Sequence, residues 1–335
     1  MGDGECKEAK TEVPTIRPTR EMNWPIVLYH IHLHVGALFG LYYVFTEARA
    51  ITTLFAIFIA LLSVLGATAG AHRLWAHRSY SASLPLRVLL MICQTALGQC
   101  SIYDWVLDHR FHHEHFGTDL DIYNNKRGLL NAHLLSNVKK WQSDFRKIAA
   151  NIDMSDIEAD SVVMFQKRYY WVLMPILCIL LPWNAPVEYW QESIPTALFV
   201  VIFLRCTVAL HCSMLINTAV HIWGIPAGDY SYTKSNSVFF ITKSYWPYYH
   251  YMIPWDYQTG EYGNYRQDCT STFIRIWAAM GSATGLRTVD TACIRNALLK
   301  ATKTGTSVQE YLRDEEIYSK QYNETEQFLR PAESL

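Results

Sequence analysis

Four long apolar segments constrain this chain more than any other feature. They fall at 24–45, 51–71, 169–183 and 194–216. A bilayer core about 30 Å thick takes roughly 20 apolar helical residues to cross, and backbone polar groups inside it must be paired within the segment. The segments therefore predict four spanning helices, and the chain reads as an all-α integral membrane protein. The third segment is short and needs its aromatic ends to reach the interfaces. The fourth carries Arg205, and a charge at that depth faces a protein interior or a water-filled cavity. A fifth apolar stretch, 84–106, is interrupted by Arg87, Gln94, Gln99 and Asp104. It reads as interfacial or packed on the polar part of the protein. The composition agrees: 50% of the residues are hydrophobic and 18% charged, a membrane bias. A net charge of −1 offers no footprint for nucleic acid.

Basic residues orient the spans. The connection 46–50 holds one Arg and 184–193 holds no Lys or Arg, whereas 72–168 holds twelve. The first 23 residues hold four, and the part after His221 holds eleven. Both termini and the two large polar segments, 72–168 and 217–310, are thus expected on the cytosolic side. No cleavable signal is visible in the polar stretch 1–21, so insertion is expected to depend on the first span. The organisation is then a tail over 1–23, a domain over 24–310 and a second tail over 311–335. The eight cysteines form no C-x-x-C pair and several sit in apolar runs, which predicts reduced, buried thiols.

The histidines are the chemical signal. His109, His112 and His113 lie in D-H-R-F-H-H. On a helix, His109 and His113 share a face, while His112 and His113 are about 100° apart. One helix could feed two adjacent metals, with Asp108 nearby. The plain alternative is a solvated His-rich surface. His72 and His77 follow the second span with spacing H-x4-H, which puts them about 140° apart on an ideal helix. Joint ligation requires a helix end or a local distortion. His221 follows the fourth span, with Asn217 one turn earlier, where a carboxamide could hold a metal-bound water. Alone, His221 could equally be a helix-end histidine satisfied by a carbonyl, and His250 would look like an interfacial histidine among aromatics. His30, His32 and His34 read as polar packing in the first span or groups near a cavity mouth. His115, His133 and His211 show no cluster.

These residues resemble the membrane fatty-acyl-CoA desaturases, stearoyl-CoA desaturase-like and of the insect branch. The blocks are A-H-R-L-W-A-H-R-S-Y (71–80), D-W-V-L-D-H-R-F-H-H (104–113), R-G-L-L-N-A-H (127–133), L-I-N-T-A-V-H-I-W-G (215–224) and P-W-D-Y (254–257). The resemblance runs through about 24–306, and together the blocks are specific. The resemblance implies four spans under a cytosolic helical cap that holds a histidine-rich di-iron site. One iron would take His72, His77, His109, His113 and His250. The second would take His112, His221 and two further histidines, with Asn217 through water. Those two further positions are Pro247 and Tyr251 here. Proline offers no side-chain donor, and a tyrosine would have to bind as phenolate against an ordinary pKa of about 10. Other departures touch substrate binding: Trp24-Pro25-Ile26 stands for W-R-N, Lys243-Ser244-Tyr245 for G-E-G, and Leu107 for a basic residue.

The chemistry explains the residue types. Removing two hydrogens from unactivated methylenes requires metal-activated oxygen, and imidazole suits iron. Asp104, Asp108, Asp119 and Asp121 could orient imidazoles through their second ring nitrogen. No nicotinamide fingerprint or haem motif is present, so electrons come from outside. The resemblance implies a small b-type cytochrome donor, a long-chain acyl-CoA substrate and residence in the endoplasmic reticulum membrane. Two alternatives stand beside an active desaturase. One is a catalytically weak or silent member that binds lipid or a partner. The other is a metal transporter, disfavoured because the histidines gather in the polar part and the spans lack paired acids.

Overall fold

A computed structural model describes residues 21–116, 118–124, 128–140, 147–223, 246–259, 261, 265–289, 291–305 and 311, without the side chains of 219–223 and 246–248. Among the described residues, four helices are long and apolar enough to cross a membrane: Trp24–Thr46 (α1), Ala50–Ala76 (α2), Ser161–Trp190 and Ile194–Thr218. The fold is helical, with one two-stranded antiparallel ribbon, Ser81–Ala82 (β1) on Ala283–Thr284 (β2). The remaining elements are Leu84–Thr95 (α3), Ile102–Glu114 (α4), the turn Asn131–Leu135 (α5), Ser155–Ala159 (α6), the third span (α7), the helix 194–223 (α8), Trp246–Met252 (α9), Cys269–Ala279 (α10) and Thr291–Thr304 (α11).

α1 and α8 meet through small residues. Gly36 and Gly40 are spaced as G-x-x-x-G and are buried. A Cβ at Gly36 would lie 2.3 Å from the Phe203 ring, and one at Gly40 would lie 2.3 Å from the Phe199 carbonyl oxygen. Absent side chains let the two backbones approach, the usual basis of helix association in lipid. Outward, α1 shows Leu38, Phe39, Tyr42 and Phe45, the lipid-facing side of a span. Arg205 is 2% exposed inside the bundle. Its guanidinium donates to the carbonyls of Val201 (2.9 Å), Ala96 (2.6 Å) and Cys178. The costly charge is thus spread over backbone acceptors of three elements.

One expectation needs adjusting. The third span is not the short segment 169–183 but a 30-residue helix, Ser161–Trp190. Asp160 caps its start by accepting from Val162 N (2.9 Å). Gln166, polar in sequence, is fully buried and donates to Gln94 (2.8 Å) and Thr95 (3.0 Å) while accepting from Ile102 N (2.8 Å). Polar residues that look like loop are here the glue between α3, α4 and α7. The fifth apolar stretch is not one element: α3 ends at Thr95, and Gly98 at φ +73° turns the chain into α4.

At the polar end, α2 changes its winding. Leu65 ends the α-helical part, and Gly66–Ala76 is π-helical with every residue buried. This segment packs on α3 and α4 and forms the floor on which the histidines stand. The chain entering α1 is tied to the same end: Asn23 N donates to Val138 O (2.8 Å) and Lys140 N to Glu21 O (2.7 Å).

Candidate metal centre

The site begins with the π-helical end of α2. His77 N–H donates to His72 C=O at 3.1 Å, an i→i+5 bond. That bonding widens the turn and brings positions five apart onto one face. It removes the 140° separation an ideal α-helix would impose, and the two rings stand 4.8 Å apart. α4 supplies the next pair. Ser101 caps it by accepting from Asp104 N (3.2 Å), and His109 and His113 fall one turn apart with rings 4.7 Å apart. His250 arrives on α9, where Asp256 of the P-W-D-Y block accepts from Tyr249 (2.6 Å) and Tyr265 (2.8 Å) and fixes the turn that follows.

These five imidazoles converge. One ring nitrogen each from His72, His77, His109 and His250 lies within 4.8 Å of the others. His77 and His109 approach through Nε2 at 2.7 Å, His72 and His250 at 3.2 Å, and His113 and His250 at 3.1 Å. The other ring nitrogen is held elsewhere for two of them. His72 Nδ1 donates to Glu261 (2.8 Å) and His109 Nδ1 to Asn217 Oδ1 (2.6 Å). Their Nε2 atoms are then lone pairs aimed into the cluster. His250 Nε2 carries one proton at most, yet it faces two other Nε2 atoms. Hydrogen bonds alone do not satisfy this arrangement, whereas a cation about 2 Å from each nitrogen does.

The surroundings keep the rings in ligand form. His77, His109, His113 and His250 are all held well below the ordinary histidine range, by burial first and then by one another's charge. Trp105 stacks on His109 at 4.9 Å. Behind His72, Glu261 also takes hydrogen bonds from Arg73, which donates further to Asp268 (3.0 Å), Ser271 (2.8 Å) and Tyr257 O (2.6 Å). Burial would raise the Glu261 carboxyl, but the Arg73 charge and the His72 hydrogen bond outweigh it and hold it at about 2. A second clamp joins the elements carrying His77 and His109. Asp156 accepts from Arg78 (2.7 Å) and from both terminal nitrogens of Arg110 (2.8 Å each).

His112, adjacent to His113, looks elsewhere. Its Nδ1 donates to Asp121 (2.7 Å), and its Nε2 accepts from the Tyr251 hydroxyl (2.6 Å). Tyr251 stacks on Phe116 with centroids 3.9 Å apart. Asn217 Oδ1 accepts from His109, and the side chains of His221 and Pro247 lie outside the described residues.

Sequence reasoning missed several partners. Of the four aspartates expected near the imidazoles, Asp121 is on His112. Asp104 pairs with Ser101, Asp119 is exposed and Asp108 lines a cleft of about 890 Å³ with Leu107 and Glu158. The carboxylate on His72 is Glu261, 189 positions away. His133 and His211 are not isolated either. His34 Nε2 meets His211 Nε2 (2.9 Å), and His211 Nδ1 meets His133 Nε2 (2.9 Å), whose Nδ1 meets Thr218 Oγ1 (2.9 Å). The plain reading of that chain is a polar tie between α1, α5 and α8.

No protein-family model matches the chain. Among curated proteins it is 40% identical over 297 residues to an acyl-CoA Delta-9 desaturase of Acheta domesticus, covering 86% of this chain and 83% of that one. It is 36% identical over 292 residues to a stearoyl-CoA desaturase of Sus scrofa, covering 86% and 80%. An acyl-CoA Delta(11) desaturase of Choristoneura rosaceana matches at 34% over 312 residues, 92% of each chain.

Proposed function

The chain belongs to the membrane acyl-CoA desaturase family, and on that premise we propose that it introduces a double bond into a long-chain acyl-CoA using iron held by His72, His77, His109, His113 and His250. It is an oxidoreductase of fatty-acid metabolism and a multi-pass membrane protein. The observation that carries the metal assignment is the convergence of buried ring nitrogens within 4.8 Å. Iron bound there supplies the oxygen activation that unactivated methylenes require. The residues around it prepare the site. Glu261 and Asn217 fix His72 and His109 with Nε2 inward. Burial excludes water and keeps the imidazoles neutral, with one nitrogen of each ring unprotonated.

The family pattern would assign a second ion to His112, His221 and, through water, Asn217. Electrons come from a b-type cytochrome, and the protein sits in the endoplasmic reticulum membrane with both termini cytosolic. The one-sided distribution of Lys and Arg supports that orientation. One observation favours a second reading, a member with weak or silent desaturation: Tyr251 stands against the coordinating nitrogen of His112.

Expression in desaturase-deficient yeast, with fatty-acid analysis by mass spectrometry, tests the reading. New double bonds that vanish in His72→Ala are expected. Wild-type protein that is abundant and metal-loaded but gives no unsaturated product sinks the catalytic reading and leaves the weak or silent one. Glycosylation of Asn323 in the native protein would overturn the orientation.

A further inference from the structure

We infer that this chain carries one metal ion and not two, because Asp121 and Tyr251 engage both ring nitrogens of His112 where the second ion's ligands would stand. The inference rests on the desaturase reading and narrows its metal centre.

A metal needs a lone pair, and the lone pair of His112 is taken. Asp121 Oδ1 receives His112 Nδ1–H at 2.7 Å and Tyr123 N–H at 2.9 Å. That bond makes Nε2 the acceptor of the ring, and the Tyr251 hydroxyl donates to it at 2.6 Å. All three side chains are buried, His112 and Asp121 almost completely. Packing holds the Tyr251 ring. It stacks on Phe116 and packs in one apolar cluster with Met252, Ile253 and Ile294. An ion on Nε2 would take this lone pair from the buried Tyr251 hydroxyl, so the hydrogen bond is lost before any ligand bond is gained.

The other donors do not compensate. Asn217 was the expected water-holding ligand, yet its Oδ1 accepts from His109 Nδ1–H at 2.6 Å, which serves the first cluster. Pro247 has no donor in its side chain. His221 alone is too few for an ion that takes several ligands. The five-histidine cluster has none of these faults: its Nε2 atoms face one another.

Metal analysis of the full-length protein in nanodiscs, after reconstitution with ferrous iron, tests this. The wild type should hold one iron per chain. His112→Gln, which keeps a polar group against Tyr251, and Tyr251→Phe, which keeps the stack, should also hold one. His113→Gln should lose at least about tenfold in iron affinity. Pro247→His with Tyr251→His should rise toward two per chain. Two tight irons in the wild type would overturn the inference. So would loss of iron in His112→Gln, or a phenolate-to-ferric absorption band that Tyr251→Phe removes. One iron with no desaturation supports the inference while sinking the catalytic reading. Two irons with robust desaturation do the reverse.

Discussion

His112 and His113 are consecutive residues of one helix, both backed by protein and both turned inward, yet only one of them joins the metal cluster. His113 Nε2 faces His250 Nε2 at 3.1 Å, whereas His112 Nε2 faces a phenol at 2.6 Å. A carboxylate behind a ring does not by itself decide which side that ring serves. Glu261 backs His72 on the metal side and Asp121 backs His112 on the other, at nearly the same distance. The difference lies in front of the ring. Where lone pairs meet lone pairs, the protein is incomplete without a cation. Where a hydroxyl meets the lone pair, the protein is complete by itself. A histidine box read as spacing alone does not distinguish these cases.

The largest effect should come from changing the two carboxylates in parallel. Glu261→Gln removes the charge that orients His72 and leaves Arg73 buried against Asp268 alone. Loss of such an outer partner typically costs 10–100-fold in metal affinity, and breaking a buried pair costs about 3–5 kcal/mol of stability. Asp121→Asn should leave iron affinity within about twofold, because His112 holds no ion, while costing about 1–3 kcal/mol through the weakened hydrogen bond. Iron titration and thermal unfolding of the two variants decide this. Equal losses of iron affinity would erase the contrast between the two sides.

A smaller effect is expected from Asn217→Ala, which asks which side the carboxamide serves. With Asn217 gone, His109 loses the acceptor on Nδ1 and is free to present either nitrogen. Iron affinity of the single site should fall about tenfold, and Asn217→Asp should recover most of it because a carboxylate accepts the same proton. Iron binding unaffected by Asn217→Ala would mean that the 2.6 Å contact does not position His109.

Much of this arrangement was legible in the sequence, and the limits have physical causes. Hydropathy located the first, second and fourth spans within a few residues because their lipid-facing sides are uniformly apolar. It shortened the third because Gln166, Lys167 and Arg168 look like solvent-exposed loop, while Gln166 is in fact buried among Gln94 and Thr95. The H-x4-H pair looked awkward because a period of 3.6 was assumed, and nothing local in G-A-T-A-G-A-H-R-L-W-A announces i→i+5 bonding. Asp121 was within reach of His112, nine positions away. Glu261 was not, since its link to His72 spans 189 positions and only the folded chain creates it. Tyr251 was visible as a departure, but its hydrogen bond to His112 was not.

The smallest effect should separate the two sides by acid. The elements bearing His77 and His109 are joined by ions, with Asp156 between Arg78 and Arg110. The His112 side is joined by the stack of Tyr251 on Phe116, which carries no charge. Burial alone would raise the Asp156 carboxyl, but hydrogen bonds from Arg110 and Arg78 overcome that and hold it at about 2. A carboxyl lowered in the folded state binds fewer protons there than in the unfolded chain, so its stabilisation is complete above the ordinary value near 3.8 and is lost as pH falls toward 2. Asp156 is partly exposed, so solvent screening limits its share to the order of 1 kcal/mol. Asp156→Asn should therefore be less stable than the wild type at pH 7 by about that amount, and the two should converge as pH falls from 3.8 toward 2. Phe116→Leu, which alters the uncharged stack, controls for the other side at the same pH values. Unfolding followed by the fluorescence of the tryptophans reads both, since Trp75 and Trp105 lie on the ionic side. Parallel pH curves for the wild type and Asp156→Asn would mean that the ionic clamp contributes nothing to holding His77 against His109.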